Sequence, residues 1–194
     1  MTLAIALVLF AFLMGSFPTG VLCARAKGVD LRKIGSGNVG ASNVGRALGK
    51  GWAVFVLVVD AAKGAAPVMA ARGMKVGPWV VAGVALAAVL GHVFSVFLKG
   101  RGGKGVATAL GASLALAPLP ALAAFGVYLL CYVAFRISSV GSLAGAVSFI
   151  AFLFLFGTPH ASYFVYGALS AGVIVARHRD NIRRLAAGQE LKAP

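Results

Sequence analysis

The segment Gly35–Arg46, with the sequence GSGNVGASNVGR, combines residue types that bind phosphate. Glycines at positions 35, 37 and 40 let the backbone turn tightly and point its N–H groups inward. Short serine and asparagine side chains add hydrogen-bond donors, and Arg46 adds a rigid guanidinium fork. No acidic residue interrupts the segment. Composition alone leaves two interpretations open, a cradle for an anion such as phosphate and a flexible polar loop between two helices.

Two later segments carry further candidate phosphate-binding residues. The second glycine loop, Lys99–Gly105, reads KGRGGKG and supplies the amine of Lys104. A basic stretch, RHRDNIRRL, begins at Arg177. Within it His178 and Asn181 lie three residues apart, so they share one face of a helix.

Both glycine loops match the pattern G-x-G-x-x-G, at Gly35–Gly40 and Gly100–Gly105. A dinucleotide site needs that pattern after a strand in a βαβ unit, whereas each loop here follows an apolar run typical of a membrane helix. The second loop is not a P-loop, because no Ser or Thr follows Lys104. What remains is a set of backbone N–H groups and cations at the starts of helices, which suits phosphate.

The composition of the chain is that of an integral membrane protein. Of its 194 residues, 60% are hydrophobic and only 11% are charged, against about 25% charged in soluble domains. A net charge of +14 arises from 18 basic and four acidic side chains. We attribute this charge to basic cytoplasmic loops and to the binding of anionic headgroups or substrates, and not to the binding of nucleic acid.

Cys23 and Cys131 lie in apolar runs without metal-ligand spacing, so we expect no disulfide and no metal. We also expect no cofactor.

Seven apolar runs predict an all-α integral membrane protein with seven transmembrane helices, some of them short, in one domain over residues 1–194. The predicted helices are Thr2–Ala24, Gly51–Ala71, Trp79–Leu98, Val106–Ala117, Ala121–Phe135, Leu143–Phe156 and Tyr163–Ala176. We expect the first to be a retained helix, because it has no charged leader and exceeds the ~7–15-residue core of a signal peptide. The fourth and fifth are shorter than a standard span, so a re-entrant hairpin turning at Pro118 and Pro120 is an alternative.

Two ionisable residues, Asp60 and Lys63, lie well inside the second apolar run. Such groups are costly at membrane depth, and at a spacing of three residues they share a helix face. Two interpretations are open, a buried pair that packs this helix against its neighbours and a polar wall of a substrate cavity.

The basic residues predict the orientation of the chain. One set of alternate loops contains nearly all of them, from Arg25 to Lys50, at Lys99, Arg101, Lys104 and Arg136, and in the C-terminal stretch. The other set contains only Arg72 and Lys75. The positive-inside rule therefore predicts an outside N-terminus and a cytoplasmic C-terminus. Both glycine loops, the C-terminal stretch and the nearby His92 then meet at the cytoplasmic face.

Three segments together resemble the PlsY family of bacterial acyl-phosphate:glycerol-3-phosphate acyltransferases. They are GSGNVGASNVGR at Gly35–Arg46, GHVFSVFLKGRGGKGVATALG at Gly91–Gly111, and RHRDNI at Arg177–Ile182. The segments occur in the family's order and spacing, and the resemblance extends over essentially the whole chain.

The resemblance implies a seven-helix enzyme of the bacterial inner membrane with its active site at the cytoplasmic face. Such an enzyme transfers a fatty acyl group from acyl phosphate to the 1-hydroxyl of glycerol 3-phosphate. The products are lysophosphatidic acid and inorganic phosphate, in the first step of phospholipid synthesis. The HxxxxD motif of other acyltransferases is absent here.

The residue types agree with this chemistry, because catalysis of transfer from a mixed anhydride can rest on holding two anions side by side. In our hypothesis a cradle for acyl phosphate comprises Ser36, Gly37, Asn38, Gly40 and Asn43. Arg46 and Lys104 bridge both phosphates, and the glycines of the second loop, Gly102, Gly103 and Gly105, contribute to binding. Glycerol 3-phosphate is oriented by His178, Asn181, Ser142 and His92. The acyl tail lies between helices and enters sideways from the bilayer lipid.

Two alternatives remain open at this stage. The base that removes the hydroxyl proton is either His178 or a phosphate oxygen of a bound substrate. The rival function is a membrane transporter for a phosphate-bearing anion, although no inverted repeat is apparent and the candidate residues lie on one face.

Overall fold

The computed structural model describes residues 1–158 and 160–192, and this part of the chain is entirely helical, without strands. Its helices are α1 Thr2–Ser16, α2 Thr19–Ala26, α3 Ala41–Leu48, α4 Lys50–Gly73, α5 Pro78–Val93, α6 Val106–Leu116, α7 Pro118–Phe135, α8 Ser138–Leu155, α9 Ala161–Arg177 and α10 Arg179–Ala186. The all-α prediction is therefore confirmed for the described residues.

Five segments in the described part are long and apolar enough to cross a membrane. They are Thr2–Ala26, Lys50–Gly73, Pro78–Leu98, Pro118–Phe135 and Ser138–Leu155. Helices α6 and α9 are apolar but shorter, with 11 and 17 residues. The chain is thus a polytopic helical protein whose shortest apolar helix, α6, is only about half as long as a ~20-residue span.

The first apolar run forms two helices, whereas the sequence predicted one helix over Thr2–Ala24. Helix α1 ends at Ser16, and α2 begins after Pro18. Proline has no N–H for the helical ladder and clashes with the preceding turn, so carbonyl groups before it lack helical partners. One of them, the oxygen of Phe17, accepts a hydrogen bond from Lys63 Nζ at 2.8 Å.

Several further boundaries differ from the prediction. Helix α5 ends at Val93, five residues before the predicted end at Leu98. The segment Gly35–Arg46 is a loop only in its first half, because its second half forms α3. Helix α7 begins at Pro118 and has 18 residues, so it is not a short helix that starts after the prolines. Proline is tolerated there because the first N–H groups of a helix have no helical partner. Helix α8 begins at Ser138, five residues before the predicted start, so Ser138, Ser139 and Ser142 lie in its first turns.

Glycines let helix backbones touch at two crossings. A Cβ at Gly15 of α1 would lie 2.0 Å from a backbone oxygen of α5, and one at Gly91 of α5 would lie 2.1 Å from a backbone oxygen of α1. Gly64 and Gly111 show the same reciprocal relation between α4 and α6, at 2.1 and 1.9 Å. Small residues at helix crossings are typical of membrane proteins, where close packing stabilises helix association. These crossings fix α4, α5 and α6, which lead to the polar loops.

Candidate functional site

One cavity of about 370 Å³ gathers side chains from both glycine loops and from the end of the chain. The predicted site residues that line it are Ser36, Asn38, Gly40, Asn43, Arg46, His92, Lys104, Gly105, Ser142, His178 and Asn181. Residues 36 and 181 lie at opposite ends of the sequence, so this convergence is a property of the tertiary fold. The three predicted site residues that do not line the cavity are Gly37, Gly102 and Gly103.

Gly102 and Gly103 pack against the end of α5. A Cβ at Gly102 would lie 1.9 Å from the backbone oxygen of His92, and one at Gly103 would lie 2.2 Å from His92 Nε2. The Gly103 N–H donates to that same backbone oxygen at 3.1 Å. These two glycines therefore let the second loop lie on the helix end and hold the neighbouring Lys104 at the cavity.

Asn43 shapes the first glycine loop from within. Its Oδ1 accepts a hydrogen bond from the Ser36 N–H at 3.0 Å, and its Nδ2 donates to the carbonyl groups of Leu31 and Asn38 at 3.1 and 2.9 Å. The residue is only 1% exposed. Gly37 turns in the left-handed region with φ +67°. Its carbonyl group accepts a hydrogen bond from Arg32 at 3.3 Å. These hydrogen bonds hold the loop in place, so it is not a flexible connection. Ser36, Asn38 and Gly40 line the cavity.

Arg46 is half-buried at the cavity and contacts the end of the described chain. Its Nη2 donates to the carbonyl oxygens of Leu191 and Lys192 at 3.3 and 3.1 Å. Burial lowers the pKa of Arg46, although nearby Glu190 opposes that shift. The guanidinium remains charged, because arginine is not deprotonated in proteins. Arg46 is therefore a cation whose present partners are carbonyl oxygens.

Lys104 joins the second loop to the C-terminal region through a hydrogen bond from Nζ to Asn181 Oδ1. Burial is the main cause that lowers the pKa of Lys104 to about 8, with Arg184 and Arg46 contributing and Glu190 opposing. Because a bound anion would favour the charged form, this amine is placed to bind phosphate as a cation.

His178 follows α9, and its ring is 2% exposed. Its Nδ1 lies 2.8 Å from the carbonyl oxygen of Ile174. A carbonyl oxygen only accepts, so Nδ1 carries the hydrogen and Nε2 keeps a free lone pair. Burial, followed by repulsion from Lys104, lowers the pKa of His178 to about 4. At neutral pH it is therefore a neutral ring that can accept a hydrogen bond.

Helix α8 contributes serines from its first turns. Ser142 lines the cavity, and its hydroxyl donates to the carbonyl group of Ser138 at 2.8 Å. The Ser138 hydroxyl in turn lies 3.0 Å from that of Ser42 in α3. These contacts tie the start of α8 to the first glycine segment.

The sequence reading missed Glu190, which lies at the polar end of the cavity with its side chain 4% exposed. It accepts hydrogen bonds from Arg184 at 2.7 Å, Asn181 at 2.5 Å and Ser139 at 3.0 Å. Burial alone would raise its pKa, but these three donors outweigh burial and lower it. The one signal in the sequence is that Glu190 is the sole glutamate of the chain, shortly after a basic stretch.

The Asp60–Lys63 pair is buried, and its two members have different surroundings. Lys63 Nζ lies 2.8 Å from Asp60 Oδ1 and also bonds the Phe17 oxygen, so it packs α4 against the break between α1 and α2. Asp60, by contrast, lines the cavity together with His92, whose Nδ1 lies 3.9 Å from Asp60 Oδ2. Lys63 does not line it.

The polar end of the cavity therefore holds two cations, a neutral imidazole and backbone N–H groups at the starts of α3 and α6, together with the Glu190 carboxylate, which is paired with Arg184. Such a set can bind two anionic groups and hold a neutral hydroxyl. Among residues 1–158 and 160–192, no three His, Cys, Asp or Glu side chains group as metal ligands.

Comparison with known proteins gives consistent results. A sequence profile described as "Glycerol-3-phosphate acyltransferase" matches residues 5–188. The protein named glycerol-3-phosphate acyltransferase of Rubrobacter xylanophilus is 48% identical over 98% of this chain and 95% of its own. The protein of the same name from Thermus thermophilus is 47% identical over 98% of this chain and 95% of its own.

Two crystal structures of PlsY, an integral membrane glycerol 3-phosphate acyltransferase, share the fold. The glycerol 3-phosphate form has a TM-score of 0.94 and 44% identity, covering 98% of this chain and 96% of that one. The lysophosphatidic acid form has a TM-score of 0.91 and 43% identity, covering 97% and 94%.

Proposed function

The chain belongs to the glycerol-3-phosphate acyltransferase family, and we propose that it transfers a fatty acyl group from acyl phosphate to the 1-hydroxyl of sn-glycerol 3-phosphate. It is a membrane glycerol-3-phosphate acyltransferase, as the three segments predicted. The products are lysophosphatidic acid and inorganic phosphate, which makes this the first step of phospholipid synthesis.

One observation carries the proposal: Arg46, Lys104 and His178 line the polar end of a single cavity whose other end is apolar. A substrate pair with two phosphates and one long acyl chain matches that division. Phosphate binds at the cations and helix N-termini, and the acyl chain lies among apolar side chains.

The residue roles follow from what each group can donate or accept. Backbone and side-chain donors of Ser36, Gly37, Asn38, Gly40 and Asn43 form the cradle of the acyl phosphate. Arg46 and Lys104 bridge the two phosphates, so that their mutual repulsion is neutralised. Binding sets the hydroxyl beside the acyl carbon, which accounts for much of the rate enhancement. Glycerol 3-phosphate is oriented by His178, Asn181, Ser142 and His92, and the glycines of the second loop, Gly102, Gly103 and Gly105, hold Lys104.

A phosphate oxygen is the better of the two candidate proton acceptors. His178 has a pKa of about 4, whereas the second pKa of a phosphate monoester is about 6. The hydroxyl oxygen attacks the acyl carbon, the bond from that carbon to the phosphate oxygen breaks, and a phosphate oxygen takes the proton. His178 Nε2 accepts a hydrogen bond from the hydroxyl and aims it.

The proposed topology has seven transmembrane helices, formed by α1 with α2 and by α4 to α9. The N-terminus is outside, and the C-terminus and the active site are at the cytoplasmic face of the bacterial inner membrane. The distribution of basic residues supports this orientation.

The test uses purified protein in detergent with a saturated acyl phosphate. We expect inorganic phosphate to be released only when glycerol 3-phosphate is present, in equal amount to the lysophosphatidic acid formed. Acyl thioesters serve as the comparison donor and should give no product. Product from thioesters but not from acyl phosphate would refute the proposed donor.

A further inference from the structure

Beyond its polar end, the cavity continues as an apolar channel between α6, α7, α8 and α9. Six of its lining residues are Ala109, Leu110, Ala121, Ala124, Phe125 and Ala146. Four of these six residues are alanines, whose small side chains leave space between the helices for a hydrocarbon chain.

The length of this channel can be read from two antiparallel helices. On α8, Ser138 at the polar end and Phe149 at the other end both line the cavity, and at 1.5 Å per residue they lie about 16 Å apart. On α7, Tyr132 and Ala121 line it in the opposite direction over the same number of residues. Both helices therefore give the same depth.

Phe149 is the last residue of α8 that lines the channel. This ring is 5% exposed and packs edge-on against Tyr166, with centroids 6.2 Å apart and planes at 83°. The Tyr166 hydroxyl lies 3.1 Å from Ser113 Oγ and donates to the Ala109 carbonyl group at 3.1 Å. Leu153, one turn beyond Phe149, is fully buried and does not line the cavity.

We infer that Phe149, held in place by Tyr166, is the end stop of the acyl channel and sets the longest acyl chain that the enzyme accepts. The inference rests on the proposed function, because it needs the acyl chain to occupy this channel. A chain that is too long presses on Phe149 and withdraws its reacting carbon from Lys104 and His178. A chain that is too short leaves part of the channel unfilled, at a loss of about fourfold in affinity per methylene group.

Two variants on one face of α8 test the inference in opposite directions. Phe149→Ala deepens the channel, so the preferred acyl phosphate should become longer. The ratio of kcat/KM for a chain two carbons beyond the original optimum, relative to that optimum, should rise about tenfold. Ala146→Leu fills the channel one turn nearer to the polar end, so the optimum should become shorter.

Phe152→Ala is the matched control, because Phe152 packs against the core from the same helix but does not line the cavity. It should leave the chain-length profile unchanged. The ratio of rates on two chain lengths does not depend on the folded fraction, so a destabilised variant still reports preference. If Phe149→Ala yields no folded protein, Ala146→Leu decides the question.

The outcomes separate the two proposals. If the unsubstituted protein transfers acyl groups from acyl phosphate but both variants keep its chain-length optimum, the end stop is overturned. If the unsubstituted protein uses no acyl phosphate of any length, the proposed donor fails instead.

Discussion

At the residue scale, burial gives the polar side chains of the cavity properties that they would not have in water. Burial is the main cause that lowers the pKa of Lys104 to about 8 and the pKa of His178 to about 4. The neutral His178 ring donates from Nδ1 to the Ile174 carbonyl group, which leaves Nε2 as the acceptor. Both pKa shifts therefore depend on depth in the fold. The residue types were therefore readable from the motifs, but their protonation states were not.

The pKa of Lys104 predicts an alkaline limit on activity. The ammonium is present below its pKa of about 8 and is lost above it, so kcat/KM should fall as pH rises through about 8. Lys104→Arg keeps its positive charge to much higher pH. The kcat/KM of this variant should therefore stay constant as pH rises through about 8, even if its absolute value differs from that of the native protein. The measurement is kcat/KM against pH for both proteins, corrected for spontaneous hydrolysis of acyl phosphate. An unchanged alkaline fall in the arginine variant would exclude Lys104 as its cause.

Removing Arg46 tests the bridge between the two phosphates. Arg46→Ala should reduce kcat/KM by about 10²–10³-fold, because a preorganised cation facing developing charge is lost. Arg25→Ala is the control, since Arg25 is an exposed arginine outside the cavity on the same side of the proposed topology. Near-normal kcat/KM in Arg46→Ala, with normal folding in detergent, would contradict the assigned role.

At the element scale, helix ends and glycine crossings position the site. Helix α6 has 11 residues and is about 16 Å long, about half the ~30 Å hydrocarbon core. Its far end is bound to α4, where Arg72 donates to the carbonyl group of Ala115. Its near end, with Lys104 and Gly105, consequently lies below the cytoplasmic surface in the proposed orientation. In the proposed function, this recess is where a water-soluble substrate meets an acyl chain held in the bilayer.

The crossing of α4 and α6 should be intolerant of a single methyl group. Gly64→Ala would place Cβ 2.1 Å from the Thr108 carbonyl oxygen, so we expect a loss of about 1–3 kcal/mol in stability. Gly126→Ala is the matched control, because nothing lies within 4 Å of a Cβ there. It should be neutral or stabilising by up to about 1 kcal/mol, since alanine favours helix. Thermal unfolding in detergent measures both, and equal midpoints would refute the close crossing.

The C-terminal segment should depend on the charge of Glu190. Glu190→Gln removes the carboxylate that Arg184 and Asn181 hold, at an expected cost of about 1.5–3 kcal/mol for bonds to a buried charged group. Asp180→Asn changes the same charge at an exposed position and should cost little. The measurement is thermal unfolding in detergent of each variant. Indistinguishable stabilities would show that Glu190 is not a structural anchor.

The same carboxylate gives a pH dependence with a definite sign. Since the pKa of Glu190 is lowered in the folded chain, its contribution is complete above the ordinary glutamate value and is lost as pH falls through the lowered one. The difference in unfolding midpoint between the native protein and Glu190→Gln should therefore shrink on acidification below about pH 4.3. A difference that stays constant down to about pH 2 would contradict this assignment.

At the scale of the whole molecule, the sequence predicted the helical class, the membrane setting and the segments that meet, because apolar periodicity and charge are local signals. It did not predict the break at Pro18, since proline also occurs within continuous membrane helices. Nor did it predict the helix within Gly35–Arg46, whose contact with α8 joins residues distant in sequence. Phe17 meets Lys63, and Ser42 meets Ser138, across 46 and 96 residues of sequence. The sequence also did not predict a role for Glu190, because a single glutamate shortly after the basic stretch does not reveal its contact with Ser139, 51 residues away.

The orientation of the whole chain is the last consequence that can be tested. Lys75 and Arg136 are both exposed, and both have a left-handed backbone with φ of 53° and 56°, so cysteine at either position carries a similar strain. In a background without Cys23 and Cys131, Lys75→Cys should react with a membrane-impermeant maleimide added to intact spheroplasts. Arg136→Cys should react only after permeabilisation, because the strongly basic loops remain on the cytoplasmic side. The reverse labelling pattern would place Arg46, Lys104 and His178 outside the cell, where no cytoplasmic glycerol 3-phosphate could reach them.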